Sequence, residues 1–135
     1  MPRVLVMDDQ PHVRAAIKAT LQPNGFEVTE AGDGKAGLTA WETAAFDLVI
    51  IDIYMPRLDG VKVIKQLRAR NPELPIIAIS GVALGQSERT PLDFLPTAGL
   101  GDVVCLKKPF RSAELLELVE GMVHFAKWST QPASA

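Results

Sequence analysis

Residues 48–52 read Leu48-Val49-Ile50-Ile51-Asp52: four apolar residues, three of them β-branched, stopped by a carboxylate. The run is too short for a helix and has no polar alternation, so it reads as a strand covered on both faces. Residues 4–7, 76–79 and 103–106 repeat the pattern. A fifth run, Phe26-Glu27-Val28-Thr29-Glu30-Ala31, alternates apolar and polar side chains, as a half-exposed edge strand does.

Helical periodicity fills the gaps. Pro11 suits a first helical position, and Val13, Ala16, Ile17, Thr20 and Leu21 then share one face. A second helix after Asp33-Gly34 offers Ala36, Leu38, Ala40, Trp41 and Ala44. A third after Asp59-Gly60 turns Val61, Ile64 and Leu67 inward and Lys62, Lys65 and Arg68 outward. The last, over 111–128, offers Leu115, Leu116, Val119, Met122, Val123 and Ala126. Between residues 81 and 101, Pro91 and Pro96 remove helix donors, so a further helix there is short or broken. Alternating strands and helices imply an α/β fold. The expected form is a doubly wound, five-stranded parallel sheet of flavodoxin-like order 2-1-3-4-5, with helices on both faces.

At 135 residues, the chain fits one domain over 1–128 followed by a short, small-residue polar tail over 129–135 that is expected to be disordered. A hydrophobic share of 47% and a charged share of 22% suit a self-sufficient core. With 14 basic and 16 acidic residues there is no basic tract of the kind that binds nucleic acid. The single Cys105 excludes a disulfide framework and a cysteine-based zinc site. The apolar run at 4–7 is shorter than a secretory core of about 7–15 residues or a membrane span of about 20. The expectation is a cytoplasmic protein without a membrane partner.

The ends of the strands carry the chemistry. The first ends at Asp8-Asp9, the third at Asp52, the fourth at Ser80 and the fifth at Lys108-Pro109. Ligands of open α/β sheets bind outside the carboxyl ends of the strands, so these groups converge on one rim. Clustered carboxylates repel one another, and a hard divalent ion such as Mg²⁺, content with few protein ligands and several waters, relieves that. Metal, ammonium and hydroxyl together suit a phosphoryl group. The sequence has no P-loop, so the acceptor is sought among the carboxylates, and Asp52 on the central strand is the candidate nucleophile.

Asp8-Asp9, Asp52-Ile53-Tyr54-Met55-Pro56-Arg57-Leu58-Asp59-Gly60, Ser80-Gly81 and Lys108-Pro109-Phe110 resemble, in order, the signature of the response-regulator receiver domain of two-component signalling. The resemblance spans roughly residues 3–127. It implies that Asp52 accepts a phosphoryl group from a sensor histidine kinase or a histidine phosphotransfer protein. It implies Mg²⁺ held by Asp9, Asp52 and the backbone carbonyl of Tyr54, with Asp8 acting through water. Lys108 would pair with the phosphoryl oxygens, Ser80 would move to hydrogen-bond one of them, and Pro109 would follow a cis peptide bond.

The sequence departs from that pattern at two places. Receivers commonly carry an aromatic three residues before the Lys, and here that residue is Cys105, read as a small buried hydrophobe. The 28 positions from Ser80 to Lys108 are more than receivers usually have, and place either a partner-binding feature or a tolerated insertion on the usual output face. His12 and His124 have no metal partner at helical spacing and read as solvated or packed. Leu118, Phe125 and Trp128 exceed what one core face needs, and offer a surface for a homodimer or another partner.

The reading that results is a stand-alone, single-domain response regulator, not an enzyme beyond its own phosphorylation and dephosphorylation. It would signal through contacts with a downstream protein made by the face around the fourth helix, fifth strand and last helix. The alternative is a receiver-like binding module that works without phosphorylation. An aspartyl phosphohydrolase would need a second Asp two residues after the nucleophile, where Tyr54 stands, and a flavin site would need a Ser/Thr-Gly loop where Asp8-Asp9 stand.

Tyr54 and Val82, two residues beyond Asp52 and Ser80, offer no general base to a hydrolytic water. Self-dephosphorylation is therefore expected to be slow. The half-life of the phosphorylated protein measures this directly, and decay within seconds would contradict it.

Overall fold

The computed structural model describes residues 1–53, 60–81 and 103–130, with residues 124–130 described by backbone alone. Five strands, β1 (Arg3–Met7), β2 (Glu27–Ala31), β3 (Leu48–Asp52), β4 (Ile76–Gly81) and β5 (Val104–Lys108), form one parallel sheet in the order β2-β1-β3-β4-β5. Among the described residues, the α-helices are α1 (Pro11–Leu21), α2 (Gly34–Thr43), α3 (Gly60–Arg70) and α4 (Ser112–Thr130).

Strand geometry sorts the core into two layers, because successive side chains point to opposite faces. Leu5, Met7, Val49, Ile51, Ile76 and Ala78 face α3, where Val63, Ile64 and Leu67 are buried, and the partly buried Leu38 and Trp41 of α2 close the same layer. Val4, Val6, Leu48, Ile50, Ile77 and Ile79 face the other way, against Ile17 and Leu21 of α1 and Leu115, Val119 and Val123 of α4. Every residue of β3 is buried, as expected of a strand with a neighbour on each side and helices above and below. At the sheet edge, β2 is half-exposed as expected but does not alternate strictly: Val28 and Ala31 are buried on opposite faces, and Glu27 and Glu30 are exposed.

Some expectations are corrected. The apolar run at 103–106 does not make a strand covered on both faces: β5 lies at the other sheet edge, runs on through Lys108, and buries only Leu106 fully. Cys105 is exposed rather than a buried hydrophobe, because among the described residues an edge strand lacks cover on one side. It follows Val104 and precedes Leu106, whose side chain is packed in the α1–α4 layer, so the Cys105 side chain lies on the opposite face of the sheet. Ala16 and Ala36 are also exposed, whereas Val63 joins the α3 core face. The last helix extends to Thr130, so Ser129 and Thr130 continue it instead of opening the tail. The readings that concern residues 54–59, 82–102 and 131–135, and the side chains of His124, Phe125, Ala126 and Trp128, lie outside what is described.

Two glycines fix close approaches that the apolar pattern does not reveal. Gly37 lets α2 settle on the buried Met7 side chain. Gly60, the first residue of α3, lies against β3: a Cβ there would stand 2.5 Å from the Ile53 Cα and 3.0 Å from the Asp52 carbonyl oxygen. Backbone cannot yield as a flexible side chain would. Gly60→Ala is therefore expected to cost about 1–3 kcal/mol despite alanine's better helix propensity. Urea unfolding should show a lower midpoint at unchanged slope, and an unchanged or raised midpoint would show that the approach is not tight.

Candidate functional site at the strand ends

The sheet register carries the sequence-predicted groups to one rim. β1 pairs Met7 with Ile51 of β3, so Asp8 and Asp52 follow adjacent strand positions. Asp8 is held by its backbone: its N–H donates to the Ala31 carbonyl at 3.1 Å, and its own carbonyl accepts from Arg14 Nη1 at 2.6 Å. Its Oδ1 accepts from the Gln10 backbone N–H at 2.9 Å. Asp52 pairs with Ile79, and the Ile53 N–H donates to the Ile79 carbonyl at 3.1 Å, which fixes the end of β3 against β4.

Lys108 ends β5 opposite Gly81 of β4. β3 lies two strand spacings away, roughly 10 Å, beyond the end of β4, and the long Lys108 side chain meets the Asp52 side chain part-way across that gap. Its Nζ stands 3.0 Å from Asp52 Oδ2 and 2.8 Å from Asp8 Oδ2. It also donates to Gln10 Oε1 at 3.0 Å. The Lys108–Pro109 peptide is cis, in agreement with the resemblance.

Asp8 is fully buried, Asp52 is 4% exposed and Asp9 is exposed. Each offers one carboxylate oxygen, and the three oxygens lie within 4.8 Å of one another, an arrangement that could hold a cation. Burial raises the Asp8 carboxyl above its ordinary value, and the charge of Asp52 adds to the rise. The Lys108 ammonium and the Gln10 N–H act in the opposite direction without cancelling it. Burial alone would lower the Lys108 ammonium, but hydrogen bonds and charge from Asp8 and Asp52 outweigh it and raise the group. Asp8 Oδ2 is buried and, beyond the Lys108 ammonium at 2.8 Å, meets no hydrogen-bond donor among the described residues. The nearby ammonium meets it as an ion pair, which leaves lone-pair capacity for the water of a hydrated cation.

Ser80, 2% exposed at the end of β4, donates to the Gly81 carbonyl at 3.3 Å. It shares the rim with Lys108 but turns its hydroxyl to its own strand. Tyr54 lies outside the described residues. Gln10 and Arg14 escaped the sequence reading. Their link to the site runs over long separations or through main-chain atoms, and no spacing motif encodes either. His12 is exposed at the start of α1, and Leu118 is partly buried against the α1–α4 layer.

Residues 4–120 match the family model described as the response regulator receiver domain. The transcriptional activator protein PfeR of Pseudomonas aeruginosa is 41% identical over 114 residues, which make up 84% of this chain and 35% of PfeR. The response regulator MprA of Mycolicibacterium vanbaalenii is 36% identical over 121 residues, or 90% of this chain and 50% of MprA. The chain thus spans half the length or less of these curated relatives. Among solved structures, the chemotaxis protein CheY4 of Vibrio cholerae superposes with a TM-score of 0.77 at 30% identity, covering 90% of this chain and 98% of that one. A response regulator receiver domain protein from Clostridium thermocellum gives 0.81 at 25% identity, covering 96% and 100%.

The raised Asp8 carboxyl has a consequence for stability. A carboxyl that holds its proton more tightly in the folded state contributes nothing below its unfolded value of 3.8. It then costs stability as pH rises from there through the folded value, and the cost levels off above. Asp8→Asn, which removes the buried charge, is therefore expected to raise the melting temperature of the metal-free protein at pH 7. The gain should shrink toward pH 4. Melting curves across that range check this, and a lowered melting temperature at pH 7 would show that the Lys108 pairing outweighs the burial.

Proposed function

The chain belongs to the response-regulator receiver family, and from that premise we propose that it is a phosphorylation-controlled switch with Asp52 as the phosphoryl acceptor. The observation that carries the reading is the 3.0 Å contact between Lys108 Nζ and Asp52 Oδ2, made beside two further carboxylates. Aspartyl phosphorylation and Mg²⁺ are general properties of this family. Here Asp9 and Asp52, with the backbone carbonyl of Tyr54, would hold the ion directly and Asp8 would hold it through water. The ion supplies charge neutralisation at the phosphoryl oxygens.

The protein's own groups do the rest. An Asp52 carboxylate oxygen attacks the phosphorus of a phosphohistidine on a kinase or phosphotransfer protein. The oxygen–phosphorus bond forms as the nitrogen–phosphorus bond breaks, and the electron pair leaves with the imidazole nitrogen. Lys108 is already placed to offset the charge that gathers on the phosphoryl oxygens. Ser80 must turn its hydroxyl from the Gly81 carbonyl to reach one of them. The product turns a carboxylate of one negative charge into an acyl phosphate of about two, so the rim gains about one negative charge and new acceptor oxygens, enough to bias a two-state surface.

The readout is a downstream protein contact, made by a separate partner or by a further segment of the same polypeptide. The names of PfeR and MprA make transcriptional control one such output. We place the protein in the cytoplasm, where such kinases present their phosphohistidine. Among the described residues, no helix is long and apolar enough to cross a membrane. Cys105, at the place where receivers commonly carry an aromatic, favours a second reading: a binding module that works without phosphorylation.

Intact-protein mass after incubation with acetyl phosphate separates the two. The expected result is one added phosphoryl group that requires Mg²⁺ and is absent from Asp52→Asn. No adduct, together with no binding of the phosphoryl mimic beryllofluoride, would favour the unphosphorylated module.

A further inference from the structure

We infer that Gln10 is a positioning residue for phosphoryl transfer, holding the Lys108 ammonium over the rim until a phosphoryl oxygen replaces it. The inference rests on Asp52 being the acceptor.

Gln10 occupies the N-cap position of α1, with extended backbone angles before Pro11. That position favours Ser, Thr, Asp or Asn, whose short side chains accept a hydrogen bond from the first turn. Gln10 makes no such bond. Its main chain is committed locally: the carbonyl accepts from Val13 and Arg14 at 3.1 and 3.2 Å, and the N–H donates to Asp8 Oδ1 at 2.9 Å. The side chain alone is spent at long range, on Lys108 Nζ at 3.0 Å across 98 residues of sequence. A weak capping choice whose side chain turns to the candidate site is the kind of local rule broken for function.

The acceptors around the ammonium are unequal. Asp52 and Asp8 are carboxylates, and Gln10 Oε1 is a neutral amide oxygen. An ammonium bonded to a carboxylate or phosphoryl oxygen gains the attraction of opposite charges, which a neutral amide oxygen does not supply. When a phosphoryl oxygen arrives, the bond to Gln10 is the one that Lys108 gives up at least cost. Until then the amide keeps the ammonium from being drawn further between Asp8 and Asp52, away from the incoming group. Gln10 thus acts through Lys108 and need not touch the donor.

Two variants separate this role from a structural one. Gln10→Met keeps the length and loses the acceptor. Gln10→Ser loses the reach but supplies a capping hydroxyl. Phosphoryl uptake from acetyl phosphate at saturating Mg²⁺ is expected to slow about tenfold in both, because an ammonium drawn between Asp8 and Asp52 must first be moved back to meet the phosphoryl group. Mg²⁺ affinity should stay within about twofold of wild type, and the melting temperature of Gln10→Ser should equal or exceed it. Wild-type rates in both variants, or rates that fall only together with melting temperature and Mg²⁺ affinity, would overturn the role. A wild-type protein that takes up no phosphoryl group and binds no beryllofluoride would overturn the acceptor reading itself, and this inference with it.

Discussion

Three carboxylates stand with oxygens within 4.8 Å of one another at the carboxyl end of a parallel sheet, and the Lys108 ammonium is the charge set against them. The strands place the acids where they repel, and burial of Asp8 removes the water that would screen them. One cation arriving from the far edge of the sheet offsets the repulsion enough for the fold to hold. Because that offset is incomplete, the rim keeps a demand for further positive charge, and this suits it to a divalent ion and a phosphoryl group.

The sheet order explains why the parts meet. With β1 and β3 adjacent, Asp8 and Asp52 lie side by side, and β4 separates them from β5. A long side chain is needed on β5 because Asp52 lies two strands away, and the two side chains meet part-way. Gly60 belongs to the same arrangement: α3 begins so close to Ile53 and the Asp52 carbonyl that no side chain fits between them. The acceptor is thus fixed by its strand on one side and by a helix start on the other. Around the rim, polar groups are committed in ways that hold the acids in register. Arg14 bonds the Asp8 carbonyl and pairs with Glu30 of β2 at 3.3 Å, tying α1 and the sheet edge to the turn that carries both acids.

Much of this was legible in the sequence. Residues 48–51 could only be a covered strand, and Asp52 after it had to emerge at the rim. The same logic located Asp8, Asp9, Ser80 and Lys108, since each ends an apolar run. It failed where the pattern depends on neighbours. The run at 103–106 is as apolar as the others, yet it makes an edge strand, so Cys105 is exposed. Apolar content reports a tendency to be covered, and what lies alongside decides whether cover is there. Ala16 and Ala36 show the same limit, because alanine is compatible with either side of a helix.

The sequence by itself determined the element order, the two-sided core and the identities of the acids, because strand and helix periodicities are local properties of the chain. Only the tertiary structure decided that Lys108 reaches both Asp8 and Asp52, that Ser80 turns its hydroxyl to Gly81, and that the Gln10 side chain abandons its cap for an ammonium 98 residues away. Those choices are made by distances between strand ends and by competition among hydrogen-bond acceptors. Both quantities come into being only once the sheet has closed its register.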